Sequence, residues 1–197
     1  MVVGCIPRRE FPKGLVITIS GPPGSGKSHC ASRLAETYGV PCHSAGSIFR
    51  SIASERGLSL EELSKISASD PSIDREIDRR TEEYAKAGGC ILEGRLVSWF
   101  SRVEGRLSFY LTAPLEVRAK RIAEREGLSL EEARLKTAER QEGERQRYLS
   151  VYGIDISDLS GYDFVINTSI WGKEEIVALL VSIIDLYIRY HAGAQHK

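Results

Sequence analysis

The run Gly21-Pro22-Pro23-Gly24-Ser25-Gly26-Lys27-Ser28 sets glycine freedom, one cation and one hydroxyl in the order GxxxxGK[ST]. Glycines let the backbone curl so that successive N–H groups turn inward, and a helix beginning there adds the positive end of its dipole. Such a cradle fits the phosphates of a nucleoside triphosphate, with Lys27 reaching the β- and γ-phosphates and the Ser28 hydroxyl binding Mg²⁺. Gly21 to Ser28, together with His29, are the candidate triphosphate contacts.

Three further sets of residues could do chemistry beside it. Ser44-Ala45-Gly46-Ser47-Ile48-Phe49-Arg50 places an arginine after a small-residue turn, where it can grip a second phosphate or simply lie exposed on a helix. Glu93-Gly94-Arg95 offers a carboxylate that can hold Mg²⁺ through water and a guanidinium that can bind phosphate in bidentate fashion; a plain surface pair is the alternative. Arg118, Arg121 and Arg125 share one helical face, as do Arg140, Glu144 and Arg147. Acidic neighbours allow both faces to be solvated salt-bridge faces. Phosphoryl transfer between two nucleotides supplies a use for them, because its transition state is stabilised by Lys, Arg and Mg²⁺ rather than by covalent chemistry. Glu144 could then accept from the exocyclic amino group of a base.

These groups need elements to position them. Leu15-Val16-Ile17-Thr18-Ile19 is an apolar, β-branched run suited to a strand buried on both faces, and Cys30, Ala31, Leu34, Ala35 and Tyr38 then recur at helical spacing until Gly39. Further strands are expected at 40–44, 90–95, 107–112 and 164–167. Ser59-x-x-Glu62 and Ser129-x-x-Glu132 are capping boxes that start helices, and Asp70-Pro71 is a third start signal. Long charged helices are expected over 114–126 and 129–152, and a closing helix over 174 to about 190. Strands alternating with helices imply right-handed crossovers and a parallel sheet covered on both faces. Ligands of such sheets bind at the carboxyl ends of the strands, where the first run, Ser44–Arg50 and Glu93–Arg95 all fall.

The chain has 197 residues, enough for one α/β domain, and its 27 Lys+Arg balance 27 Asp+Glu. Balanced charge argues against a broad nucleic-acid-binding surface. No segment approaches the roughly 20 apolar residues of a membrane span. Residues 1–13 read as a flexible extension and 191–197 as a disordered tail. The four cysteines are scattered, with no CxxC pair, and read as buried or free thiols in a reducing cytosol, a disulfide being the alternative in a protein from a hot environment; the protein is expected to be cytoplasmic.

With these elements placed, the chain resembles the nucleoside monophosphate kinases, and most closely the archaeal-type cytidylate kinases. The phrases that carry the likeness are Ile17 to Ser28, Ser44 to Arg50, Leu92-Glu93-Gly94-Arg95-Leu96, Leu111-Thr112-Ala113-Pro114, and Tyr152 through Asn167 to Ser169. The resemblance implies five parallel strands in the order 2-3-1-4-5. It also implies an acceptor-binding segment at about 44–87, a lid at about 126–142, and one kinase domain over 14–190. It implies transfer of the γ-phosphate of ATP to CMP or dCMP with Mg²⁺, by a monomer with small nucleotides as its only partners. Carried over by motif, Ser44 and Arg50 contact the monophosphate, with Gly46 and Phe49 of the same phrase in the acceptor site, and Arg95 binds its phosphate or cytosine. Arg121, Arg125, Arg140 and Arg147 are phosphate clamps around the lid, and Glu144 matches a position that helps recognise cytosine. Glu93 departs from the aspartate usual in adenylate kinases, and the lid lacks a cysteine cluster for zinc. The competing expectations are an adenylate kinase or another small-acceptor kinase of this fold and, more remotely, an ATP-dependent regulatory binding module.

Overall fold

The computed structural model describes residues 9–67 and 70–194. Its elements, in chain order, are β1 (Val16–Ser20), α1 (Lys27–Tyr38), β2 (Cys42–Ser44), α2 (Ala45–Glu55), α3 (Leu60–Ser67), α4 (Ser72–Ala87) and β3 (Cys90–Glu93). They continue with α5 (Val97–Phe100), β4 (Arg106–Thr112), α6 (Leu115–Glu126), α7 (Leu130–Tyr152), β5 (Phe164–Asn167), a 3₁₀ turn (Thr168–Ile170) and α8 (Lys173–Ala194). The strands form one parallel sheet in the order β2-β3-β1-β4-β5, as expected.

β1 is the central strand and every one of its residues is buried. Ile17 and Ile19 point into the larger core with Leu34, Tyr38, Phe109, Leu111, Leu180 and Ile184, which seals the sheet against α1 and α8. Val16 points the other way, onto Ala85, Leu92 and Val97. Beyond it this second face turns polar, and the Thr18 and Ser20 hydroxyls lie 2.7 and 3.3 Å from that of Ser98. Such pairing lets hydroxyls be buried without the cost of an unmet hydrogen bond. A separate small core of Ile48, Ile52, Ala53, Leu63 and Ile73 holds α2, α3 and α4 together.

The start signals act locally as chemistry dictates. The Ser59 and Ser129 hydroxyls accept from the Glu62 and Glu132 amides, and each glutamate reaches back to its serine. Asp70 accepts from the Ser72 amide at 2.8 Å at the head of α4. A third capping box, Ser44 with Ser47, starts α2.

Three features differ from expectation. The short helix α5 carries no periodic signal, being only one turn long. α8 runs on to Ala194, through part of the expected tail, although its core-packed face ends at Ile188; residues 195–197 lie outside the described residues. Within the expected extension, residues 1–8 lie outside the described residues, while residues 9–13 are tied down. Phe11 packs edge-on against Tyr38 with centroids 5.4 Å apart, Arg9 pairs with Asp185, and the Pro12 carbonyl accepts from the Leu15 amide. An aromatic ring beside the core gains more by burial than the chain loses in freedom there. Among the described residues, no helix is long and apolar enough to cross a membrane.

Cys30, Cys42 and Cys90 are free thiols, and burial pushes each up to about 11. A thiol there carries about 100-fold less thiolate near neutral pH than an ordinary one. We therefore expect iodoacetamide to modify Cys30 and Cys90 slowly in the native protein and fully after denaturation, as read by peptide mass mapping; rapid native labelling would contradict their placement.

Candidate active site

At the end of β1 the chain must turn sharply while passing the neighbouring strand. Gly21 has φ +152°, and a Cβ there would lie 2.2 Å from the Leu111 carbonyl oxygen of β4. Gly24 has φ +79°, and a Cβ there would lie 2.7 Å from the Arg118 carbonyl. Both sites thus demand glycine, by close approach and by conformation alike. Gly26 then leads into α1, which has no side-chain cap and no acidic residue in its first turn. Its first N–H groups and its dipole remain available to an anion.

The outer side of this loop is braced by three residues. Arg118, buried on α6, donates to the carbonyls of Ala113 and Pro23 and to the Gln141 side chain. Arg121 donates to the Gly24 carbonyl at 3.2 Å and to the Thr168 hydroxyl and carbonyl at 2.9 Å each. The Thr168 hydroxyl in turn faces the carbonyls of Ser25 at 2.9 Å and Thr112 at 3.1 Å. The arginine face of α6 is therefore divided: Arg118 and Arg121 hold backbone, whereas Arg125 at the end of the helix is exposed.

Two cavities meet at the loop. One, of about 550 Å³, lies between α1, the end of α6 and the turn after β5, with Thr168, Trp171 and Gly172 in its wall. The other, of about 380 Å³, lies across the strand ends, bounded by Ser44, Ala45 and Gly46, by Glu93, Gly94 and Arg95, and by one face each of α4 and α7. Gly24, Lys27, Ser28 and Arg125 line both.

The second cavity is dense in charge. Lys27 Nζ is 3.7 Å from Glu93 Oε1. Burial holds the Lys27 ammonium below the usual lysine range, against the opposing pull of Glu93. Glu144 sits between two arginines, 2.6 Å from Arg95 Nε and 2.9 Å from Arg140 Nε. The contact with Arg95 is close but misaligned, so Arg95 Nε and Glu144 Oε2 are both buried without a hydrogen-bond partner. Arg147 on α7 pairs with Asp74 on α4. A cavity whose buried cations are satisfied only by its own carboxylates is built to exchange those contacts for an anionic ligand.

Of the residues singled out in the sequence, Lys27, Ser28, Ser44, Gly46, Glu93, Arg95, Arg125, Arg140, Glu144 and Arg147 border the second cavity. Gly24, Ser25, Gly26, Lys27, Ser28, His29, Arg121 and Arg125 border the first. Pro23 belongs to the wall of the second, while Gly21 and Pro22 are buried and line neither cavity. His29 approaches Glu174 on α8 at 3.7 Å. Phe49 is turned into the small core of α2 to α4, since the apolar face of α2 points there and not into the cavity. Arg50 is exposed, its Nη1 3.6 Å from where a Cβ on Gly46 would sit, and it is absent from the cavity wall. Asp74, Asp78, Thr81, Tyr148 and Tyr152 also line the second cavity. The signal for Asp74, Asp78 and Thr81 is the polar stripe at i, i+4 and i+7 on α4, which reads alone as a solvated face, while Tyr148 and Tyr152 follow Glu144 at i+4 and i+8 on α7.

A phosphate-binding loop after the central strand, in a parallel sheet of this order, defines a P-loop kinase fold. Solved structures share it: an uncharacterized protein from Eubacterium ventriosum superposes with a TM-score of 0.69 at 19% identity, covering 87% of this chain and 98% of that one. Shikimate kinase from Acinetobacter baumannii superposes with a TM-score of 0.58 at 16% identity, covering 87% and 94%. Sequence narrows the class. The model of the cytidylate kinase-like family matches residues 16–170. A cytidylate kinase of Pyrococcus horikoshii is 50% identical over 171 residues, 87% of this chain and 88% of that protein. One from Methanopyrus kandleri is 48% identical over 184 residues, 89% and 95%. The chain belongs to the cytidylate kinase-like family.

The brace at Thr168 can be tested without changing shape. Thr168→Val leaves Arg121 without its hydroxyl acceptor, and we expect a loss of about 1–3 kcal/mol in denaturant unfolding. A raised KM for ATP should accompany it. Unchanged stability and unchanged KM would remove Thr168 from the support of the loop.

Proposed function

We propose that this protein transfers the γ-phosphate of ATP to the phosphate of CMP or dCMP, giving ADP and the cytidine diphosphate. The reading is carried by one observation: two cavities meet at Lys27 and Ser28, in a chain about half identical to cytidylate kinases. The cavity beside Trp171 takes the donor, and the cavity between α4 and α7 takes the acceptor. A regulatory module that only bound ATP would have no use for the second.

The inward N–H groups of Gly21 to Ser28 and the Lys27 ammonium hold the donor β- and γ-phosphates. Burial has stripped Lys27 of water, so it interacts with those oxygens more strongly than an exposed lysine would. Ser28 and Glu93 offer hard oxygen ligands at the junction of the cavities, a donor set that fits Mg²⁺ completed by phosphate oxygens and water. When bound there, Mg²⁺ neutralises charge developing between the β- and γ-phosphates.

On the acceptor side, Ser44 and Gly46 present the start of α2 to the monophosphate, and Arg95, Arg140 and Arg147 exchange their carboxylate partners for phosphate oxygens. Arg125 spans both cavities and Arg121 keeps the loop floor in place. One acceptor oxygen attacks the γ-phosphorus in line as the bond to the bridging β–γ oxygen breaks, and ADP leaves with that oxygen's electron pair. No general base is needed, since a phosphate monoester has its second pKa near about 6 and is largely ionised near neutral pH. Residues 44–87 act as the acceptor-binding segment. The region at about 126–142 acts as the lid, excluding water that would otherwise hydrolyse ATP.

ADP formation should be fastest with CMP and dCMP when these are compared with UMP and AMP at equal concentration. Lys27→Ala should lower kcat/KM by about 100–1,000-fold with the fold intact by circular dichroism. Normal turnover in that variant, or a preference for AMP, would defeat the reading.

A further inference from the structure

We propose that Asp78, held by Tyr152, is the residue that tells cytosine from uracil in the acceptor cavity, its free carboxylate oxygen accepting from the exocyclic amino group of the base. This rests on the acceptor reading above and assigns its specificity.

Four carboxylates line that cavity: Asp74, Asp78, Glu93 and Glu144. Three are matched by cations, Asp74 by Arg147, Glu93 by Lys27, and Glu144 by Arg95 and Arg140. Those three belong with the phosphate-binding arginines and lysine. Asp78 alone has no ion pair among the described residues. Its Oδ2 accepts from the Tyr152 hydroxyl at 2.6 Å, which fixes the carboxylate plane, while Oδ1 accepts no hydrogen bond from the described residues.

Its surroundings suit a base and not a phosphate. Asp78 shares one face of α4 with Ile77 and Thr81, and opposite lie the rings of Phe100, Tyr148 and Tyr152. The Phe100 and Tyr152 centroids are 5.5 Å apart at 71°, so the cavity has aromatic walls on which a pyrimidine can stack. The Thr81 hydroxyl donates to the Ile77 carbonyl at 2.8 Å, leaving its lone pairs as further acceptors. This end therefore presents a carboxylate oxygen and neutral hydroxyls beside aromatic rings. Burial pushes the Asp78 carboxyl above the usual carboxylate range, the sign of a group short of water and in need of a donor.

Cytosine carries an amino donor where uracil carries a carbonyl oxygen. Against Asp78 Oδ1 the amino group makes a charge-assisted hydrogen bond, whereas the uracil oxygen would set lone pairs against a carboxylate. Sites built to bond a polar group reject the analogue lacking it far better than apolar pockets do. In the ligand-free chain both oxygens of Glu144 face arginines, whereas Asp78 forms no ion pair among the described residues and keeps one oxygen open to the base before any partner is exchanged.

The test is kcat/KM for CMP and for UMP at saturating ATP, in wild type, Asp78→Asn and Tyr152→Phe. An asparagine can turn its amide N–H₂ toward the uracil oxygen, so Asp78→Asn should lower the CMP:UMP specificity ratio by about 10-fold or more. KM for ATP should stay unchanged. Tyr152→Phe, which frees the carboxylate without removing it, should move the ratio in the same direction by less, and supplies the answer if Asp78→Asn does not fold. A ratio within about twofold of wild type, or equal loss for both substrates, would overturn the proposal. If wild type prefers CMP while the variants keep the ratio, only this assignment fails. If wild type does not phosphorylate CMP, the acceptor reading fails with it.

Discussion

The close passage of Gly21 against the Leu111 carbonyl is the contact on which the rest depends. It lets the chain leave β1 and curl while β1 stays paired with β4, so the phosphate-binding loop is continuous with the most buried strand of the sheet. Arg118, Arg121 and Thr168 then fasten the loop's outer carbonyls to α6 and to the turn after β5. The loop's N–H groups are thus aimed inward by hydrogen bonds made on its other side. Preorganisation of this kind spares the site any reorganisation when charge develops in the transition state.

The acceptor cavity obeys a second constraint, the high cost of an unpaired buried charge. Its cations are matched internally in the ligand-free chain, and Glu144 joins Arg95 at the sheet edge to Arg140 on α7 through one carboxylate. Likewise Arg147 ties α7 to Asp74 on α4. Each pair links the sheet edge or the α2–α4 unit to α7, so exchange of these partners for phosphate couples binding to the position of that helix. The misaligned contact of Arg95 with Glu144, which leaves polar atoms on both unsatisfied, makes that pair the one most readily exchanged.

Much of the fold was legible locally. Capping boxes at Ser59 and Ser129, the apolar run of β1 and the glycine at the end of α1 report chemistry settled within a few residues. The strand order was accessible only through family resemblance, since pattern alone places strands without ordering them. α5 and the docking of Phe11 were not legible, because a single turn has no period and one aromatic residue does not announce its partner.

By itself, the sequence determined the phosphate loop, because its chemistry lies within eight adjacent residues whose spacing is a backbone property. It also determined that arginines would gather on two helical faces, since helical spacing is fixed at 3.6 residues per turn. Only the tertiary structure decided what each arginine meets. Arg118 and Arg121 were drawn onto carbonyls of the loop, Phe49 was turned into a core, and Asp78 was left as the cavity's carboxylate without a cation among the described residues. Those outcomes depend on residues dozens of positions apart arriving at one place. Burial there sets the cost of every unpaired group, and no local pattern in the chain records it.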